Sequence, residues 1–184
     1  MRNACEGKNH FTPTGKEITG CCIFRQQSTL LAKKDTKELK VFLKPYSAQV
    51  QEMVLWLRDF VWDLYPSCNE LIYDNYNAVA IGWSVTDKMG GTFCTVSAWR
   101  DYAHFGFYYG NEISDPEKKL SGTNQYRHIK VAVKKDFPAA YIKKLLKEAY
   151  ANSLAKLKGK VPGVQGATIV KSVLAKKKRP GGQS

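Results

Sequence analysis

The sequence contains no apolar run approaching the roughly 18 residues that a membrane-spanning helix needs. Its first residues also lack the apolar core of a secretory signal. These absences predict a cytoplasmic protein with no membrane partner. A nuclear location is the alternative if the basic run at 176–179 is an import signal.

Signatures of catalysis and of cofactor binding are missing too. The chain has no nucleophile elbow, phosphate-binding glycine loop, metalloprotease helix or dinucleotide fingerprint. Its cysteines are Cys5, Cys21, Cys22, Cys68 and Cys94, without the CxxC spacing or the paired histidines of a zinc site. We therefore expect reduced thiols, no cofactor and a function other than catalysis.

Acidic residues are scarce in the last third of the chain. Residues 1–129 carry 15 Lys and Arg against 14 Asp and Glu, whereas residues 130–184 carry 14 against 2. The net charge of +13 therefore belongs to the C-terminal part. A basic groove across the whole protein is not implied.

What the sequence does contain is enough apolar material for one packed domain. Of its 184 residues, 43% are hydrophobic and 12% aromatic. Composition predicts a disordered leader at 1–27, an α+β domain at 28–158 and a basic flexible tail at 159–184.

Periodicity predicts the order of elements. Apolar residues at helical spacing favour a helix over 47–64 with Ser47 as its N-cap, and a later helix with Asp136 as its cap and Gly159 as its end. Within 28–44 we expect loose structure, with a short helix docked on the domain as the alternative. Aromatic and β-branched runs predict five strands near 70–73, 78–85, 92–99, 103–109 and 127–134. The result is a five-stranded antiparallel meander with both long helices on one face.

Two segments, ELIYDNYNA at 70–78 and DPEKKLSGTNQYRHI at 115–129, resemble blocks of the YdhG-like family of small domains, whose function is unknown. The matching positions are Tyr73, Asp74, Asn75, Tyr76, Gly110, Asp115, Pro116, Gly122 and Arg127. Asn124 and Lys119 depart from the family pattern. The resemblance covers about residues 47–157 and implies the helix–meander–helix fold. Because one bacterial branch is linked to iron delivery by analogy with frataxin, it also implies iron as an alternative cofactor.

The leading functional hypothesis is a non-enzymatic module that binds a small anionic ligand or a partner segment. Its pocket is expected where the 73–77 turn and the 110–127 loop converge on one rim of the sheet. The candidate ligand-binding residues are Tyr73, Asn75, Tyr76, His104, Asp115 and Arg127. Arg127 would act as a fixed cation for a carboxylate or phosphate. In the structural alternative, Asp115 caps a turn and Arg127 ties the loop down.

The first alternative function is an iron-binding chaperone resembling frataxin in role. Glu52, Asp59 and Asp63 are spaced so that they share one helix face, and hard oxygen ligands suit iron. The competing interpretation is an ordinary solvated face.

The second alternative is weak nucleic-acid binding through the basic C-terminal part. The candidate residues are Lys143, Lys144, Lys147, Lys176, Lys177, Lys178 and Arg179. Such lysines neutralise phosphates without reading base sequence. A solubilising tail or an import signal would have the same composition. A thiol–imidazole pair of Cys94 and His104 is a further, weaker hypothesis.

Overall fold

The structure is a computed structural model that describes residues 37–122, 125–159 and 165–180. Within these ranges it has three helices, α1 (Lys37–Leu43), α2 (Ala48–Leu64) and α3 (Ala139–Ala155). Its strands are β1 (Asn69–Asp74), β2 (Val79–Ser84), β3 (Thr92–Ala98), β4 (Ala103–Phe107), β5 (Arg127–Val131) and β6 (Thr168–Val173). The predicted leader at 1–27, with three of the five cysteines, lies outside the described residues. None of the described helices combines the length and apolarity that crossing a membrane requires.

The strands form a single mixed sheet in the order β5-β4-β3-β2-β1-β6. As predicted, β1 to β5 are an antiparallel meander. The sixth strand corrects the sequence prediction, because β6 pairs in parallel with β1 and so belongs to the domain. The predicted domain end at 158 and the flexible tail at 159–184 are therefore wrong for the described part of that segment. The outer edge of β1 carries backbone N–H and C=O groups that need partners, and β6 supplies them.

The helix α2 begins where the sequence predicts. The hydroxyl of Ser47 accepts a hydrogen bond from the N–H of Val50 at 3.3 Å, which caps the first turn. Apolar side chains at helical spacing then face the sheet and are buried, among them Val54, Leu57 and Val61. In the described part of 28–44 the chain forms the short helix α1 and not the loose structure expected first, and its Leu39 and Leu43 are buried.

The start of α3 differs from the prediction. Asp136 makes no capping bond and instead lies in a 3₁₀ turn that precedes the helix. Pro138 occupies the N-cap position, and its carbonyl accepts the N–H of Ile142 at 2.9 Å. Between them the ring of Phe137 is buried and meets Phe105 edge to face. Burying this ring requires the additional turn, which moves the helix start past Asp136.

The two faces of the sheet have different surroundings. One row of paired residues, Ile72, Ile81, Val96, Phe105 and Ile129, belongs to the hydrophobic core beneath α2 and α3. The next row is Tyr73, Ala80, Ser97, His104 and Lys130. Because successive side chains of a strand alternate, this second row points away from the helices. We call this side the open face.

A buried ion pair joins α2 to the sheet. Arg58 donates from Nε to Glu70 Oε1 at 2.6 Å and from Nη2 to Oε2 at 2.8 Å. The side chains are 1% and 0% exposed. Thr168 also donates its hydroxyl to Glu70 Oε2 at 2.7 Å, so the same carboxylate holds β6. One side chain of β1 thus connects three elements.

Replacing Glu70 with Gln should lower the free energy of unfolding by about 3–5 kcal/mol, because it breaks a buried, bidentate ion pair with Arg58. The measurement is urea unfolding followed by circular dichroism. Glu38→Gln, at an exposed position of α1, is the matched control and should change stability by less than about 0.5 kcal/mol. Equal midpoints for the two variants would contradict this role.

Candidate functional site

The two turns expected to form one pocket lie at opposite ends of the sheet. Asp74 pairs with Val79 at the end where the 73–77 turn reverses the chain. Phe107 pairs with Arg127 at the other end, where the 110–127 loop enters β5. Connections of a meander alternate between its two ends, so the first and the fourth cannot meet. The predicted convergence on one rim is therefore wrong.

Asp115 organises the 110–127 loop from inside. Its carboxylate accepts the N–H groups of Lys119 at 3.1 Å and Leu120 at 3.2 Å, and the hydroxyl of Tyr141 at 2.5 Å. It also forms an ion pair with Arg127, whose guanidinium reaches the carbonyl of Leu120 as well. These are the contacts of the structural alternative. Asn124 lies outside the described residues.

The charge of Asp115 is stabilised although its side chain is buried. Burial by itself would raise the pKa of this carboxyl group. The hydrogen bonds from Tyr141, Leu120 and Lys119, together with the positive charge of Arg127, outweigh burial and lower the pKa below its usual value. Asp115 is therefore a fixed anion that holds α3 and β5 to the loop.

Asp115→Asn should reduce the free energy of unfolding near neutral pH by about 3 kcal/mol, since the guanidinium of Arg127 loses its counter-ion. Because the folded-state pKa is lowered, this contribution is complete above the unfolded pKa of about 3.9 and is lost as the pH falls through the folded value. The variant should lack that part of the acid dependence. Urea unfolding at a series of pH values measures it.

The control for this experiment is Asp87→Asn, at an exposed position of the β2–β3 turn. It should keep both the stability and the acid dependence of the unchanged protein. If Asp115→Asn had the same pH profile as this control, the stabilising role of the Asp115 charge would be refuted.

Asp74 holds the C-terminal segment against the first turn. Its side chain is 1% exposed and forms ion pairs with Lys177 and Arg179. Arg179 also donates to the carbonyls of Asn75 at 2.6 Å and Tyr76 at 2.9 Å. Two cations of the basic run therefore neutralise a buried carboxylate.

The remaining basic candidates lie on the surface. Lys176 and Lys178 are exposed in the C-terminal segment. Lys143, Lys144 and Lys147 are exposed on α3, where the ammonium group of Lys143 lies 5.8 Å from the ring centre of Phe60. Nucleic-acid binding by these residues stays a prediction.

A groove of about 340 Å³ lies on the open face. Its floor consists of small side chains from β2 and β3, namely Ala80, Gly82, Thr95 and Ser97. Tyr73 lies on the β1 side and Tyr126 on the β4 side. Trp99 and Asn75 lie towards one end, Met89 and Tyr108 towards the other. Of the predicted site residues, Tyr73 and Asn75 line this groove.

Gly106 allows the Tyr126 wall to form. The ring of Tyr126 lies directly over this strand glycine, and a Cβ atom there would be 2.3 Å from its hydroxyl oxygen. Thr95 donates a hydrogen bond to the same hydroxyl at 3.4 Å, which orients the ring beside the floor. The position of one groove wall therefore depends on the absence of a side chain at Gly106.

Gly106→Ala should displace the Tyr126 ring and lower the free energy of unfolding by about 1–3 kcal/mol, the usual cost of overpacking. The matched control is Gly90→Ala, because a Cβ atom at Gly90 meets nothing within 4 Å. Thermal unfolding, with tyrosine fluorescence to follow the ring, compares them. Identical behaviour of the two alanine variants would contradict the packing described here.

Few polar atoms are available inside the groove. Trp99 donates its indole N–H to the hydroxyl of Ser97 at 3.1 Å. The hydroxyl of Thr92 is buried and has no hydrogen-bond partner among the described residues. Burial raises the pKa of both Tyr73 and Tyr126, so their hydroxyls stay neutral near physiological pH. The groove is therefore mainly apolar, with isolated hydroxyl groups.

His104 lies on the open face but outside the groove lining. Its ring centre is 3.9 Å from that of His128 and 5.4 Å from that of Trp99. Burial, helped by the neighbouring His128 and Lys130, lowers its pKa to about 4, so the imidazole is neutral at physiological pH. Cys94 lies in the core on the opposite face, so the hypothesis of a thiol–imidazole pair is wrong.

The carboxylates considered for iron do not form a ligand set. Glu52 is exposed and accepts a hydrogen bond from the ammonium group of Lys134 at 2.5 Å, which lowers its pKa. Among the described residues, no three His, Cys, Asp or Glu side chains are grouped so that they could hold a metal ion. Glu52, Asp59 and Asp63 are thus three separate exposed positions of α2.

No protein-family model, curated protein or solved structure matches the chain. The resemblance to the YdhG-like family therefore stays a prediction. The groove has to be interpreted from its own shape and chemistry.

Most residues of the groove were not among the sequence candidates. A signal for its floor is present in β2, where Ala80 and Gly82 alternate with larger apolar residues, and in β3, where Thr95 and Ser97 lie on either side of Val96. Small side chains at every second position indicate a shallow sheet face. The walls had no comparable signal, because Trp99 and Tyr126 lie in connections far apart in the chain.

Proposed function

We propose that this protein is a non-enzymatic binding module whose open-face groove holds one small molecule with a flat, mainly apolar body. The observation that carries this proposal is the floor of four small side chains between aromatic walls. The groove volume of about 340 Å³ lies within the range of about 300–1,000 Å³ of small-molecule pockets.

The shape of the groove favours a flat ligand. Its floor is formed by two adjacent strands whose side chains there are small, so a planar molecule can lie against Ala80 and Gly82. Tyr73 and Tyr126 then border it on the two long sides. Aromatic contacts of this kind contribute about 0.5–1.5 kcal/mol each beyond the burial of apolar surface.

The residues that line the groove also favour binding without catalysis. Among the described residues, no carboxylate, imidazole or thiol lines the groove. General acid–base catalysis and nucleophilic catalysis usually need one of these groups within hydrogen-bonding distance of the substrate. The remaining polar groups are mainly hydroxyls, which are poor bases when protonated. The raised pKa values of Tyr73 and Tyr126 keep these two hydroxyls protonated.

A neutral fluorescent probe tests the groove. N-phenyl-1-naphthylamine (NPN) has a flat apolar body, and its emission should increase on saturable binding to one site. Ala80→Leu fills the floor and should weaken NPN binding by about tenfold or more, equivalent to about 1.4 kcal/mol. Fluorescence titration measures both affinities.

The matched control is Ala151→Leu, the same substitution at an exposed position of α3. It should bind NPN like the unchanged protein, and near-ultraviolet circular dichroism should show all three proteins folded. Absence of NPN binding to the unchanged protein, or equal binding to Ala80→Leu, would refute the proposal. Exclusive binding of an extended peptide would instead favour a partner segment as the ligand.

A further inference from the structure

We propose that the ligand of the groove carries an anionic group, a carboxylate or a phosphate, held in a basic pocket beside Trp99. This inference rests on the proposed function and names the class of ligand as an aromatic anion. The basic pocket has a volume of about 380 Å³ and is lined by Asn77, Trp99, Arg100, Lys178, Arg179 and Pro180.

The two cavities share one side chain. Trp99 lines both the groove and the basic pocket. Its indole N–H is used by Ser97, which holds the ring at the boundary between them. A single molecule can therefore stack its flat body on Trp99 within the groove and extend a substituent into the basic pocket.

The charges in the basic pocket are available to a ligand. Arg100 and Lys178 are exposed, and neither forms a salt bridge with another described residue. No carboxylate of the described chain lines this cavity. Arg179 differs, because its guanidinium is paired with Asp74. Two unneutralised cations around one concavity attract an anion, and a guanidinium can bind its oxygens in a bidentate way.

The C-terminal segment holds Lys178 in place before any ligand binds. The backbone N–H of Lys178 donates to the carbonyl of Tyr76 at 2.7 Å. Its two neighbours in sequence, Lys177 and Arg179, are both anchored on the buried carboxylate of Asp74. Fixing the backbone that carries this cation reduces part of the entropy that binding would otherwise cost.

A matched pair of probes tests the anionic group. 8-Anilino-1-naphthalenesulfonate (ANS) differs from NPN by one sulfonate, which stands in for the carboxylate or phosphate. The unchanged protein should bind ANS about tenfold more tightly than NPN, and added NaCl should reduce only the ANS affinity. The double variant Arg100→Gln, Lys178→Gln should lose this preference while its NPN affinity stays unchanged. Lys144→Gln, at an exposed position of α3, is the control.

Competition distinguishes the two anions. Both 1-naphthoate and 1-naphthyl phosphate should displace ANS better than neutral 1-naphthol, and their order shows whether a carboxylate or a phosphate fits better. Equal affinities for ANS and NPN would overturn the inference, and so would an ANS preference that survives in the double variant. If NPN still binds in either case, the groove remains a binding site and only the anionic group is refuted. If neither probe binds, the proposed function fails together with this inference.

Discussion

The buried ion pair between Arg58 and Glu70 is the interaction on which the arrangement of the sheet and its helices depends. Each partner is almost completely removed from water, so each needs the other's charge. The bidentate geometry aligns α2 with β1, and the third bond from Thr168 extends the constraint to β6. A shift of either element would break this bidentate contact between buried charges.

The same strand repeats this arrangement four residues further along. Asp74 follows Glu70 by four residues, so both side chains point to the helix side of the sheet. Asp74 binds Lys177 and Arg179, which places the end of the chain beside the first turn. Two buried carboxylates of β1 therefore form ion pairs with basic residues of other segments. One consequence is that Lys178 and Arg100 lie together at the rim of the open face.

The hydrophobic core and the groove lie on different faces of the sheet. The helix side holds the large apolar side chains, the two carboxylates of β1 and their partners. The middle of the open face holds small residues, such as Ala80 and Ser97, that contribute little packing and leave a groove. The Asp115 network belongs to the stabilising part, because the carboxylate is used entirely in holding its own loop to Arg127 and Tyr141.

Local patterns in the sequence determined α2, the body of α3 and the five antiparallel strands. A helix or strand that is buried on one face carries apolar residues at its own period, so the pattern can be recognised within the segment. The order of these elements also predicted that both long helices pack on the same face of the sheet. The pairing of β6 with β1, the partners of Asp74 and the groove walls were decided only by the tertiary structure. The strand pairing and the ion pairs join residues about a hundred positions apart, such as Asp74 and Lys177 at a separation of 103, and no local periodicity encodes them. The separation of the two predicted turns is different, because it already follows from the predicted meander, whose connections alternate between the two ends of the sheet.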